Sequence, residues 1–199
     1  MPNDFPILYV ARHGETEWSI TGQHTGRADI PLTKRGEQMA AELGARLHKL
    51  SFTRVYTSPL IRAAETCRIA GYAAVADSMF DLVEWAYGEF EGRRRAEIRA
   101  DYPDWDLFRD GCPGGESPAE VGERADRVIA AVTPLQGNVL LFSSGHFLRV
   151  LAARWLDLPP GMARHFHLST ASLSELTYEH SLAEPVISLW NDVSHLGAP

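Results

Sequence analysis

Cysteine is scarce in this sequence: Cys67 and Cys112 stand alone, far apart and without metal-ligand spacing. That argues against a disulfide framework and leaves two reduced thiols as the expectation, the usage of a cytoplasmic protein. Long apolar runs are missing as well, and no stretch approaches the ~18 residues that suggest a membrane span. The opening residues, Met1 to Val10, hold one short apolar run with no basic flank and no cleavage signature, so no export leader is expected. Positive charge is in deficit, with 19 Lys and Arg against 26 Asp and Glu and a formal net charge of -7. Such a surface disfavours nucleic acid and anionic membranes as partners. The sequence also lacks a Gly-rich nucleotide loop of the Lys-Ser/Thr type and a carboxylate cluster suited to magnesium. Neither a metal nor another cofactor is therefore expected. Any arginines that serve an anionic ligand must be concentrated in one pocket.

What is present is ordinary in bulk. Hydrophobic residues make up 45% and charged residues 23% of 199 residues, enough for a continuous core in one domain spanning 1–199. Phe5 to Ala11 is a compact apolar run that breaks into Arg12-His13-Gly14, the pattern of a buried strand entering a loop. Thr33 reads as a helix N-cap, followed by Met39, Leu43, Leu47 and Leu50 at helical spacing, a helix to about Leu50. Arg54 to Thr57 reads as a strand. Ser58-Pro59 reads as an N-cap with proline at the first helical position, opening a helix through about Ala70. A short strand near Val75 and a helix around Arg94 to Ala100 follow. Ser117-Pro118-Ala119-Glu120 is a capping box, with Val121, Ala125, Val128, Ile129 and Val132 on one face behind it. Asn138 to Ser143 reads as a second buried strand, ending in Ser144-Gly145-His146 ahead of a helix to about Leu156. Leu173 to Tyr178 and Val186 to Trp190 read as antiparallel edge strands. Strands alternating with helices predict an α/β protein, a three-layer α/β/α sandwich with a mainly parallel sheet. Ligands in such sheets sit beyond the carboxyl ends of strands, where both His13 and Gly145 fall.

Arg12-His13-Gly14-Glu15 is the strongest local signal, a match expected by chance about once in a thousand chains of this length. Its chemistry suits phosphoryl transfer. A neutral imidazole is a good nucleophile near pH 7, and an adjacent guanidinium binds two phosphate oxygens in a fork.

These residues resemble the histidine phosphatase superfamily, in its phosphoglycerate mutase-like branch, with matching features from Arg12 to Arg149. The resemblance implies a phosphoglycerate mutase-like fold and His13 as nucleophile. It implies Arg12 and Arg62 as phosphate ligands, the latter within Ser58-Pro59-Leu60-Ile61-Arg62-Ala63-Ala64-Glu65-Thr66. Glu84, within Asp81 to Gly88, matches the segment that supplies the proton donor, and the like charge of a bound phosphate favours its protonated form. Glu89 and Glu91 are rivals placed in what reads as a solvated turn. Gln23-His24-Thr25-Gly26, His24 included, resembles the substrate-side loop, with donors from Thr25 and Gly26. Arg93-Arg94-Arg95 reads as a solvated helix start with a secondary role in steering anions. His48, His165, His167, His180 and His195 read as structural or surface residues.

Two positions depart from the pattern. Ser19 stands where many members have asparagine; it is shorter but keeps a donor. Ser144 stands where the family has a second pocket histidine before Gly145, with His146 two residues on. Losing one preorganised donor is worth ~3 kcal/mol, or roughly a hundredfold in rate. Three readings stay open: His146 substitutes, the protein is a slow enzyme or a phosphate-binding relic, or the serine is an engineered change. The expected function is hydrolysis of small phosphate monoesters, sugar phosphates among them, through phospho-His13 and without metal. Motif likeness is greatest to sedoheptulose-1,7-bisphosphatase-like phosphatases. A mutase-type transfer and a non-catalytic phosphometabolite-binding protein are the alternatives.

Overall fold

The structure is a computed structural model that describes residues 5–197. Residues 1–4, the front of the stretch read for a leader, and residues 198–199 at the end of the expected domain lie outside it. The scaffold is one six-stranded sheet in the order β3-β2-β4-β1-β5-β6. β1 (Leu8–Arg12), β2 (Arg54–Thr57), β3 (Ala76–Ser78) and β4 (Val139–Ser143) run parallel. β5 (Leu173–Tyr178) and β6 (Pro185–Asp192) close one edge antiparallel. The mainly parallel sheet with an antiparallel C-terminal edge is thus the architecture that the alternating pattern implied.

The period-2 alternation of β1 divides the core. Leu8 and Val10 join one cluster with Val128, Phe147 and Leu151, while Tyr9 and Ala11 join the other with Leu43, Leu47 and Cys67. The first cluster lies under α6 (Pro118–Val132) and α7 (Gly145–Trp155), the second under α2 (Lys34–Leu47) and α3 (Ile61–Ile69). Both central strands are buried on two faces, which is why they read as unbroken apolar runs. Cys67 and Cys112 are both free and buried.

Several boundaries moved. α2 begins as expected, with the Thr33 hydroxyl accepting from Gly36 N–H at 2.9 Å, but ends at Leu47, and Leu50 packs against the core from the following turn. Ser58 does not cap α3. The helix starts at Ile61, whose N–H donates to Asp29 Oδ1 at 2.6 Å, so the cap arrives from a distant loop. α6 carries the expected capping box, Ser117 with Glu120. Two short helices, α1 (Glu17–Thr21) and α5 (Leu107–Asp110), had no reading in the sequence, and α4 (Arg95–Asp101) falls where a helix was expected.

Register decides what the sheet presents. Arg12 of β1 pairs with Ser143 of β4, so the two strand-to-loop breaks lie side by side at the carboxyl edge. His13 N–H donates to Ser143 O at 3.0 Å, and Ser58 N–H, leaving β2, donates to Phe142 O at 2.9 Å. Residues 13, 58 and 144 therefore leave adjacent parallel strands at one level, beside the N-terminus of α7.

Candidate active site

A cleft of about 290 Å³ opens at this edge and brings together Arg12, His13, Ser19, His24, Thr25, Glu84, Gly145 and His146 from the sequence reading. His13 is held at its base, 4% exposed, its carbonyl accepting from Ala171 N–H. Its Nδ1 lies 2.7 Å from Gly14 O. A carbonyl only accepts, so Nδ1 carries the proton and Nε2 keeps its lone pair. Burial, then Arg62, then Arg12 hold the imidazole well below its ordinary range, which leaves it neutral near pH 7. Gly14 is needed because a Cβ there would meet Gly36 O at 2.4 Å, and Gly14 N–H is tied to Thr66 Oγ1 at 3.0 Å.

Arg12 follows the strand into the cleft and lies against Gly145, where a Cβ would come within 3.1 Å of its Nε. Arg62 is fully buried beneath the cleft wall rather than along it. Its guanidinium donates to the carbonyls of Thr25, Gly26 and Ala28, each at 2.9 Å, so it braces the 25–28 loop. The Nε atoms of Arg12 and Arg62 and the Oγ of Ser144 are buried without a partner among the described residues. Buried donors of this kind cost about 1–3 kcal/mol each unless something accepts from them.

Glu84, 4% exposed, sits across the cleft. Its Oε1 accepts from Trp85 N–H at 2.8 Å and Phe147 N–H at 2.7 Å, and its Oε2 accepts from His146 N–H at 2.9 Å. The carboxyl thus occupies the N-terminus of α7, taking the amides that Ser144, the N-cap residue, would otherwise serve. That explains why Ser144 makes no capping bond. The Glu84 segment is fastened from behind by Arg124, 3% exposed, which donates to the carbonyls of Asp81, Val83 and Glu84 and pairs with Glu116 at 2.9 Å.

Other expectations need correction. Gly26 does not offer its amide to the cleft, because Gly26 N–H donates to Glu91 Oε1 at 2.7 Å. Glu91 is accordingly no solvated residue; it gathers the amides of Gly26, Arg27 and Ala28 and shapes the loop. Ser19 lines the cleft, but its hydroxyl donates to Thr16 O at 2.8 Å, and the Thr25 hydroxyl donates to Gln23 O at 3.2 Å. Ser144 is 1% exposed and lies behind Gly145 rather than along the wall. Arg95 lines the cleft instead of belonging only to a solvated helix start.

Tyr87, Arg149 and Trp18 also line the cleft and were not singled out from the sequence. Tyr87 hydroxyl bonds His146 Nδ1, and burial followed by the charge of Glu84 raises the phenol well above its ordinary range. Tyr87 lay within the quoted Asp81–Gly88 segment and Arg149 closed the matched stretch, so both signals were present but unread.

Fold and site define a phosphate-ester enzyme of the histidine type, and comparison with known proteins agrees. The family model of the histidine phosphatase superfamily (branch 1) matches residues 8–193, and the chain belongs to that family. It is similar to an acid phosphatase of Mycobacterium tuberculosis, 38% identical over 89% of each chain. It is also similar to the sedoheptulose 1,7-bisphosphatase of Saccharomyces cerevisiae, 33% identical over 79% of this chain and 70% of that one. The solved structure of an open reading frame from Mycobacterium tuberculosis superimposes with a TM-score of 0.88 at 35% identity, covering 94% of this chain and 97% of that one. The phosphoglycerate mutase-like fold stands, and so does the class expected from the sequence, a phosphoric monoester hydrolase of the histidine phosphatase type.

Proposed function

We propose that this protein hydrolyses small phosphate monoesters in two steps through phospho-His13. One observation carries the reading. His13 is a neutral, buried imidazole whose Nδ1 is tied to Gly14 O, set beside two arginines with unpartnered buried Nε groups. Nε2 attacks phosphorus along its free lone pair, the ester P–O bond breaks, and its electron pair leaves on the alkoxide oxygen. Arg12 offers charge-assisted donors to the phosphoryl oxygens, and the Arg62 guanidinium adds its positive charge from beneath the cleft wall. Glu84 protonates the leaving oxygen. Its Oε2 accepts a single amide, against two at Oε1, so Oε2 is the atom with room for that proton. In the second step the Glu84 carboxylate takes a proton from water as the water oxygen attacks phosphohistidine. Inorganic phosphate leaves and His13 is neutral again. No metal takes part in either step. Relatives are named for acid phosphatase and sedoheptulose bisphosphatase activity, which supports a small phosphorylated metabolite as substrate.

Ser144, buried behind Gly145, brings no charge to the cleft, where a protonated imidazole would stabilise the transferring group. The Ser144→His variant is expected to gain up to roughly a hundredfold in kcat, the worth of one preorganised donor. His13→Ala is expected to abolish phosphate release and the acid-labile phosphoenzyme trapped on rapid quenching. Retention of either in His13→Ala, on a panel of sugar phosphates, sinks the mechanism. Assaying isomer interconversion beside phosphate release separates hydrolysis from mutase-type transfer.

A further inference from the structure

The loop of residues 167–172, which leads into β5, holds both members of the Arg12-His13 pair. Ala171 N–H donates to His13 O at 2.9 Å, and Arg12 N–H donates to Ser172 O at 3.1 Å. Arg12 Nη1 donates to Leu168 O at 2.5 Å, and Leu168 lines the cleft. The backbone of the nucleophile and the plane of its neighbouring guanidinium are therefore set by one short stretch. Nothing in that stretch itself dictates its shape. It holds no glycine or proline, yet Ala171, fully buried, has a φ of +52°. Alanine is disfavoured in the left-handed region and has no polar side chain to offset the strain. Such a conformation persists only where the surroundings over-determine it.

The C-terminal segment supplies those surroundings at three points. Trp190 Nε1 donates to His167 O at 2.6 Å, and Ser169 N–H donates to Asn191 Oδ1 at 2.6 Å. His195 Nε2 lies 2.9 Å from Ala171 O. A carbonyl only accepts, so Nε2 is the donor, and Nδ1 is left buried without a partner among the described residues. The ring thus makes its one hydrogen bond to the loop. Asn191 is aimed there by the backbone. The β5–β6 register shifts between the pairs Leu173–Asp192 and Glu175–Leu189, so β6 carries one extra residue in this span. An irregularity of this kind redirects a side chain. Asn191 itself has a φ of +57°, with its N–H on Ser174 Oγ at 2.9 Å. Ala171 and Asn191 are two of the three non-glycine residues with positive φ among the described residues, and both serve this one junction.

We propose that Asn191 and His195 are positioning residues for the reaction, holding His13 and Arg12 in place through the 167–172 loop. Neither lines the cleft. The inference rests on the His13 reading above and adds two residues from the other end of the sequence. In-line attack tolerates little displacement, and a shift of about 1 Å can lower the rate by roughly a hundredfold. Arg12 keeps its charge at the cleft whatever the loop does, so the effect falls on kcat more than on KM.

Asn191→Gly removes the side chain and keeps the left-handed backbone, whereas Asn191→Asp keeps the accepting oxygen. His195→Leu and His195→Gln make the same comparison at the other anchor. Measured on a sugar phosphate, Asn191→Gly and His195→Leu are expected to lower kcat by tenfold or more while KM moves by less than threefold. Asn191→Asp and His195→Gln should each recover most of the loss. The two anchors are independent, so if one variant fails to fold the other decides. Unchanged kcat in the folded variants, a loss shared equally by kcat and KM, or a loss that the conservative variants do not recover overturns the positioning role. If the unaltered protein releases no phosphate, the hydrolytic reading fails separately. Calorimetry then compares orthovanadate, which takes a fifth ligand from an imidazole, with inorganic phosphate. Tenfold weaker vanadate binding with phosphate binding little changed supports the positioning role, and equal changes in both overturn it.

Discussion

Acidification from about pH 7.5 to about pH 5 tests the electrostatics of the site through stability alone. His13 and His146 are buried, and both are held well below the ordinary imidazole range, by burial first and then by Arg62 and Arg12 for His13 and by Arg149, His24 and Arg12 for His146. In the unfolded chain each ring takes a proton as the pH falls through about 6.5, whereas in the folded chain it stays neutral. The unfolded state then binds more protons, so stability falls as the pH drops from about 6.5 toward the depressed folded values. Each ring contributes about 1.4 kcal/mol per pH unit, and the pair about 3 kcal/mol per unit. Between about pH 6.5 and pH 5 the loss reaches at most about 3 kcal/mol, a sizeable share of the roughly 5–15 kcal/mol that holds a typical domain together. His24, also lowered by burial, steepens the top of the window. Urea denaturation at four pH values across this range measures the slope. His13→Gln and His146→Gln should each remove about half of it. A flat profile in the unaltered protein, or an unchanged slope in both variants, refutes the neutral-histidine picture on which the nucleophile depends.

Other substitutions probe what positions the site. Arg124→Met removes the partner of Glu116 and of three carbonyls around Glu84. Breaking such a buried pair is expected to cost about 3–5 kcal/mol by urea denaturation, and a loss below about 1 kcal/mol would count against it. Glu84→Gln should lower kcat by roughly a hundredfold or more on alkyl phosphates and by much less on an aryl phosphate, whose leaving oxygen needs no proton. A similar loss on both substrates would place Glu84 outside proton transfer. Gly145→Ala puts a Cβ about 3.1 Å from Arg12 Nε and should weaken competitive inhibition by inorganic phosphate several-fold while Tm changes little. Gly36→Ala meets Glu15 O at 2.1 Å in a backbone contact that cannot yield, so Tm itself should fall.

The sequence determined the sheet and the main chemical groups because those signals are local. Unbroken apolar runs define β1 and β4, the Ser117 box starts α6, and four consecutive letters from Arg12 to Glu15 mark the strand end that carries His13. Cap and boundary errors arose where a distant residue replaced the nearest candidate, as Asp29 does for Ser58 at the start of α3. Glu91 and Gly26 were misread for the same reason: their bond spans 65 residues, and no spacing rule reports it.

Tertiary structure alone decided how the residues around the cleft are used. Arg62 became a brace for the 25–28 loop as well as a source of a free Nε, and the amides of α7 went to Glu84 rather than to Ser144. Arg95, read as part of a solvated helix start with a secondary role in steering anions, and Arg149, the end of the matched stretch, were both drawn to the cleft that holds His13. The physical reason is common to all of these. Composition and period specify which groups are available and which face of an element is buried. Only the packing of loops from distant parts of the chain determines which donors are spent on the fold and which are left for a ligand.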